Sequence, residues 1–161
     1  MRKSLVPNIT LIALATSYFI QIGAGVFALA MIGRVVSAAP PRSLIMLQGE
    51  YGYNSSAFWQ IVPPITGALF LLAIIANWRT QRRGLLLSAF VVFALVGAAT
   101  VVGIEPIFAS VVAGGYSDTV DPILQGRAAN WYLLDWGARC VDVIAGVTLL
   151  AALTRPAAKR A

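Results

Sequence analysis

Four stretches of this chain stay apolar for about 20 residues, the length a helix needs to cross a bilayer core: 9–33, 58–78, 84–104 and 131–153. The second and third are separated only by the basic turn "RTQRR", so they pair as an antiparallel helical hairpin. Trp59, Trp78, Trp131, Tyr132 and Trp136 fall near span ends, where amphipathic rings prefer to sit. The pattern predicts an all-α integral membrane protein, a four-helix transmembrane bundle forming one domain over residues 1–161. Its outer loops would be 34–57 and 105–130.

Both loops carry turn punctuation. The first breaks at Pro40–Pro41, offers "SLIMLQ" as a short interfacial helix, and then supplies Gly49 and Gly52 for tight turns. The second has a semi-apolar start before Gly114–Gly115. Both are expected to fold back over the mouth of the bundle.

Composition narrows the class. Only 11% of the residues are charged, against about 25% in soluble domains. The net charge of +6 could suggest nucleic acid, but the basic residues flank apolar runs. They are Arg2 and Lys3, then Arg79, Arg82 and Arg83, then Arg155, Lys159 and Arg160. That distribution argues for lipid headgroups and topology, with no nucleic acid among the partners. Those three segments hold eight Lys/Arg and no acid. The outer loops hold Arg34, Arg42 and Arg127 against Glu50, Glu105, Asp118 and Asp121. Both termini are therefore expected in the cytoplasm, with the chain crossing the cell membrane several times. The first apolar run, about 24 residues, exceeds the h-region of a cleaved leader and reads as an anchor.

The absence of histidine removes bis-His haem ligation, His-rich diiron centres and Ser-His or Cys-His nucleophiles. Cys140, the single cysteine, reads as a small buried packing residue.

The fourth span breaks the apolar pattern. "NWYLLDWGARCVDVIAGVTLLAAL" contains Asp135, Arg139 and Asp142. At 100° per residue, Trp131, Asp135, Arg139, Asp142 and Gly146 share an arc of about 80°. Leu133, Cys140, Val141, Ile144 and Val147 form the opposite, lipid-facing side. With Trp131 at the outer interface, Asp142 lies about 16 Å deeper, near the midplane. An isolated charge there costs about 2.5–3.5 kcal/mol, so the stripe must face the other helices. Arg139 stands i,i+4 from Asp135 and i,i+3 from Asp142, and one guanidinium can serve two carboxylates. The trio still carries one net negative charge, which calls for a proton or a further donor.

Intramembrane ionisable groups tend to mark sites or pathways, although the same trio would serve as a lock on helix register. Glu105 at the end of the third span joins Asp135, Arg139 and Asp142 as a candidate catalytic group. Gln21, Gln60 and Trp131, with the aromatic rim of Tyr51, Tyr53 and Trp59, are candidate ligand-binding residues. No metal site is expected.

The stripe also carries a resemblance. "ANWYLLDWGARCVDVIAGVTLLAAL" resembles the last helix of the anthrone-oxygenase-like family of small four-helix membrane proteins, with Trp131 or Trp136, Arg139 and Ala145 in the corresponding places. "GAGVFALAMIGR" with "APPRS" is similar to the family's first helix and the segment after it, and "VVGIEPIF" to the end of its third. The Asn that commonly follows that proline is absent, and Phe108 stands after Ile107. The resemblance implies cofactor-free oxidation of a polycyclic phenolic substrate by dioxygen. A buried carboxylate would take a proton from an acidic carbon, and Arg139 would stabilise the oxyanion. Two other readings stay open: a non-catalytic protein that binds a lipid, quinone or pigment or moves a solute, and an accessory subunit whose stripe pairs with a membrane partner or a second copy.

Overall fold

In a computed structural model of the chain, residues 5–157 are described. Arg2, Lys3, Lys159 and Arg160, half of the charges behind the expected topology, lie outside them. The fold is all-α. Four helices are long and apolar enough to cross a membrane: Leu5–Ala38, Ser56–Ala76, Arg83–Val112 and Pro122–Leu153.

Two of these helices are composite. The first consists of α1 (Leu5–Phe27), a π-helical segment (Ala28–Gly33) and α2 (Arg34–Ala38). The third repeats the device, with α4 (Arg83–Ala99), a π segment (Thr100–Ile104) and α5 (Glu105–Val112). The others are α3 (Ser56–Ala76) and α6 (Pro122–Leu153). Helices therefore overrun the expected spans, and much of the expected outer loops is helical. Hydropathy marks only the part that sits in hydrocarbon, whereas a helix runs on until the backbone chemistry stops it. Here the stops are Pro40 and Pro41 after α2, and Gly114 and Gly115 after α5, where Gly115 has φ +66°. At its start α6 has Asp121, whose Oδ1 accepts the amides of Ile123 (2.8 Å) and Leu124 (3.4 Å), with Pro122 in the first helical position. "SLIMLQ" forms a 3₁₀ turn over Arg42–Leu47, and Gly49 takes the left-handed conformation after it (φ +76°).

The internal contacts gather into two units. The first holds residues 5–23, 57–95 and 141–157. Its core is aliphatic and aromatic. Tyr18 meets Phe70 and Phe93 edge-on at 5.7 and 5.8 Å, while Leu11, Leu14, Leu86 and Leu149 are fully buried. Gly146 allows α6 to approach α1, since a methyl there would stand 3.0 Å from Ile22.

The second unit holds residues 24–56 and 96–140. Val36, Leu44, Val111 and Ala128 form one buried cluster, and Leu29, Ile104 and Trp131 a second. Its loops are clipped together. The Asp121 amide donates to Pro40 O at 3.0 Å, and Gln125 Nε2 donates to Ala38 O at 2.8 Å.

Candidate functional site

Each unit encloses its own share of the α6 stripe. Leu133, Val141, Ile144 and Val147 are 42–71% exposed, whereas Trp131, Arg139, Asp142 and Gly146 are buried and Asp135 half-buried. The polar face thus points into protein and the apolar face outward, as the helical wheel requires. Cys140 corrects one expectation. It is exposed on the outward face, because its position one residue beyond Arg139 turns it away from the core.

In the second unit, Arg139 is 6% exposed, and its Nη2 lies 3.3 Å from Asp135 Oδ1, one helical turn back. Its aliphatic stem rests against α1 at Gly25, where a Cβ would stand 2.9 Å from Arg139 Cδ. Only glycine leaves that room. Glu105 reaches the same neighbourhood from α5, close enough to feel the charges of both Asp135 and Arg139, while its residue surface stays exposed. Three of the four candidate catalytic side chains therefore converge here.

An aromatic wall adjoins them. Phe108 and Trp131 stack at 4.7 Å, and Tyr132 meets Trp136 at right angles at 6.2 Å. Leu29 and Ile104, one from each π segment, complete the packing on Trp131. An inserted π turn rotates the residues after it relative to a continuous α-helix, and such turns recur at functional sites. Glu105 follows directly on the second of them. Thr100 Oγ1, at its start, is buried with no hydrogen-bond partner among the described residues.

In the first unit, Asp142 is 1% exposed and receives the Tyr18 hydroxyl at 2.8 Å. Tyr18 is thus the further donor that the net charge of the stripe demanded. Its signal was a tyrosine deep in an apolar run, since a buried phenol must find an acceptor. Gln21 is buried too (7% exposed), and its Oε1 accepts no hydrogen bond from the described residues.

The remaining candidates lie each within its own unit. Tyr51 is 93% exposed and Tyr53 38%. Gln60 is exposed, and Trp59 packs edge-on against Phe58 at 5.0 Å. An open apolar groove of about 420 Å³ runs along α1 and α3, between residues such as Thr16, Ile20, Val62 and Leu69. It carries no ionisable group.

Sequence reasoning also missed a second buried arginine. Arg82, in the basic turn after the second span, is 5% exposed. Its Nε donates to Arg155 O at 2.8 Å and its Nη1 to Asn8 Oδ1 at 2.6 Å. Beside it, Asn77 Nδ2 donates to Pro7 O and Ala73 O. Burial pulls the Arg82 guanidinium below its usual pKa.

No family model, curated protein or solved structure matches the chain. The likeness to the anthrone-oxygenase-like family rests on the residues quoted above.

Proposed function

We propose that this is a multi-pass protein of the cell membrane, both termini cytoplasmic, that binds an apolar phenolic small molecule in its second unit and oxidises it with dioxygen. The observation that carries the reading is Arg139, nine-tenths buried, sharing one neighbourhood with Asp135, Glu105 and the Trp131–Phe108 wall. An arginine held by a carboxylate at one side of an aromatic wall suits a ligand with a flat ring system and one oxygen that becomes anionic.

For an anthrone the chemistry closes without further reagents. A carboxylate, Glu105 or Asp135, takes a proton from the ring methylene, and the electron pair delocalises onto the carbonyl oxygen beside Arg139. Dioxygen adds at the carbanion carbon and collects the proton as a hydroperoxide. Loss of water then leaves the second carbonyl. One dioxygen is consumed, and one quinone and one water form. Both the substrate and dioxygen partition into the bilayer.

The test uses the full chain in lipid nanodiscs with anthrone, following dioxygen uptake and quinone absorbance together. Mole-for-mole uptake and product, lost in Arg139→Gln with helicity unchanged, is the expected result. Quenching of tryptophan fluorescence by anthrone without turnover would leave a binding protein and remove the oxidation. Neither quenching nor turnover would overturn the site and favour the lock, a role to which the tight Arg139–Gly25 packing also lends itself.

A further inference from the structure

The first unit is charged in a way that its own residues do not balance. Its described residues contain four Lys/Arg, namely Arg79, Arg82, Arg83 and Arg155, and one acid, Asp142, and that acid is buried against Tyr18. The acceptors shown for Arg82 are a main-chain carbonyl and an amide oxygen, both neutral. Around it Arg79, Arg83 and Arg155 are exposed. Arg155 is tied to the cluster through its own carbonyl, which accepts from Arg82 Nε. Arg83 is held as well, with its guanidinium 5.0 Å from the centre of the Trp78 ring. Four arginines thus gather at one end of the unit, three of them exposed, and the guanidinium groups of Arg82 and Arg83 are held in place.

The surroundings of this cluster say what kind of anion it meets. Trp78 is 51% exposed, and just before it on α3 Ile75 is 72% exposed and Leu72 54%. A half-exposed indole next to an open aliphatic face is the arrangement found at the boundary between headgroups and acyl chains. A soluble anion would use the arginines alone, whereas a phospholipid would use the arginines for its phosphate and the Ile75–Leu72 face for its chains.

We propose that the exposed Arg79, Arg83 and Arg155, gathered around Arg82 and Trp78, form a binding site for the headgroup phosphate of an anionic phospholipid. The site is separate in residues and in chemistry from the Arg139 neighbourhood and does not depend on the reading of that neighbourhood. Arg82 is its positioning residue. The buried guanidinium fixes the α1 and α6 ends around the turn, and the exposed arginines make the contact.

The experiment retains the full chain and uses phosphatidylglycerol as the probe. Protein in nanodiscs of mixed phosphatidylglycerol and phosphatidylcholine is extracted gently, and the co-retained lipid is weighed by native mass spectrometry. Wild type should keep phosphatidylglycerol in preference to phosphatidylcholine. The preference should fall roughly fivefold for each exposed arginine removed, so Arg79→Gln/Arg83→Gln should come close to abolishing it. Arg127→Gln, an exposed arginine of the second unit, should leave it intact. Equal retention of the two lipids by wild type overturns the proposal, and that measurement needs no variant to fold. An unchanged preference in the double variant also overturns it. Displacement of phosphatidylglycerol by millimolar inorganic phosphate would mean that the arginines read a soluble phosphate, and would overturn the lipid assignment.

Discussion

Two arginines are buried among the described residues, and they are buried differently. Arg82, in the first unit, gives its hydrogen bonds to neutral oxygens at the ends of two helices. Arg139, in the second, stands against a carboxylate and within reach of the field of another. The units repeat the contrast. Among the described residues the first has four basic residues and one acid, the second four and five. The first has continuous helices and an aromatic–aliphatic core. The second has both π segments, the tied loops and the Trp131 wall. A guanidinium capped by neutral acceptors keeps its full charge and its geometry, and so fastens helices and draws anions. A guanidinium beside carboxylates has its charge answered locally, and that arrangement suits proton transfer and oxyanion binding. Buried arginine alone therefore says little about function. Its acceptors say more.

The contrast breaks most visibly at the two arginines. Arg139→Gln should lower anthrone oxidation about 100-fold or more, the usual loss on removing one oxyanion donor, while Arg82→Gln should leave the rate per folded molecule unchanged. Stability should reverse the order. Arg82→Leu deletes two charged hydrogen bonds and leaves Arg155 O and Asn8 Oδ1 without that donor, a cost of about 3 kcal/mol, read as a lower midpoint in thermal unfolding in detergent. If Arg82→Leu halts oxidation in protein that remains folded, the division of labour is wrong.

The stripe was legible because two periodicities conflict in α6. Positions such as Leu133 and Ile144 want lipid, Arg139 and Asp142 do not, and only one rotation of the helix satisfies both. The membrane class was legible from hydropathy alone. Three things were not. The π segments leave no mark in an apolar run, because ALAMIG and TVVGI suit an α-helix as well. The helix overruns were hidden because helices end at prolines and glycines rather than at the edge of hydrocarbon. The burial of Arg82 was not legible because "RTQRR" gives no sign of which of its arginines turns inward. That depends on Asn8 and on the Arg155 carbonyl, both more than 70 residues away in sequence.

Smaller changes sharpen the comparison. Tyr18→Phe removes one donor to a fully buried carboxylate and should cost about 2 kcal/mol in unfolding, read as a lower thermal midpoint. Gly25→Ala puts a methyl 2.9 Å from Arg139 Cδ and must shift the side chain. A roughly tenfold loss of oxidation is expected, since small displacements of a charge-stabilising group are costly. Gly97→Ala, with nothing within 4 Å of the added methyl, is the control and should be silent. An equal loss in both would mean that helix flexibility in general, not the Arg139 position, sets the rate.

The smallest effect tests whether the acids of the second unit are shared out locally even where nothing is buried. Tyr116, exposed in the loop before α6, donates its hydroxyl to Asp118. That hydrogen bond, then desolvation and the carboxylate's charge, raise the phenol above its usual pKa, and Arg42 pulls the other way. A phenol raised in the folded state supplies its stabilisation in full below its unfolded value, near pH 10, and loses it as pH climbs through the folded value. The absorbance titration of wild type minus that of Tyr116→Phe should isolate one phenolate step above about pH 10, and Asp118→Asn should bring that step down. At neutral pH neither variant should change unfolding measurably, because a fully exposed pair competes with water at every bond. A step at or below the ordinary value would mean that the loop is not held as described.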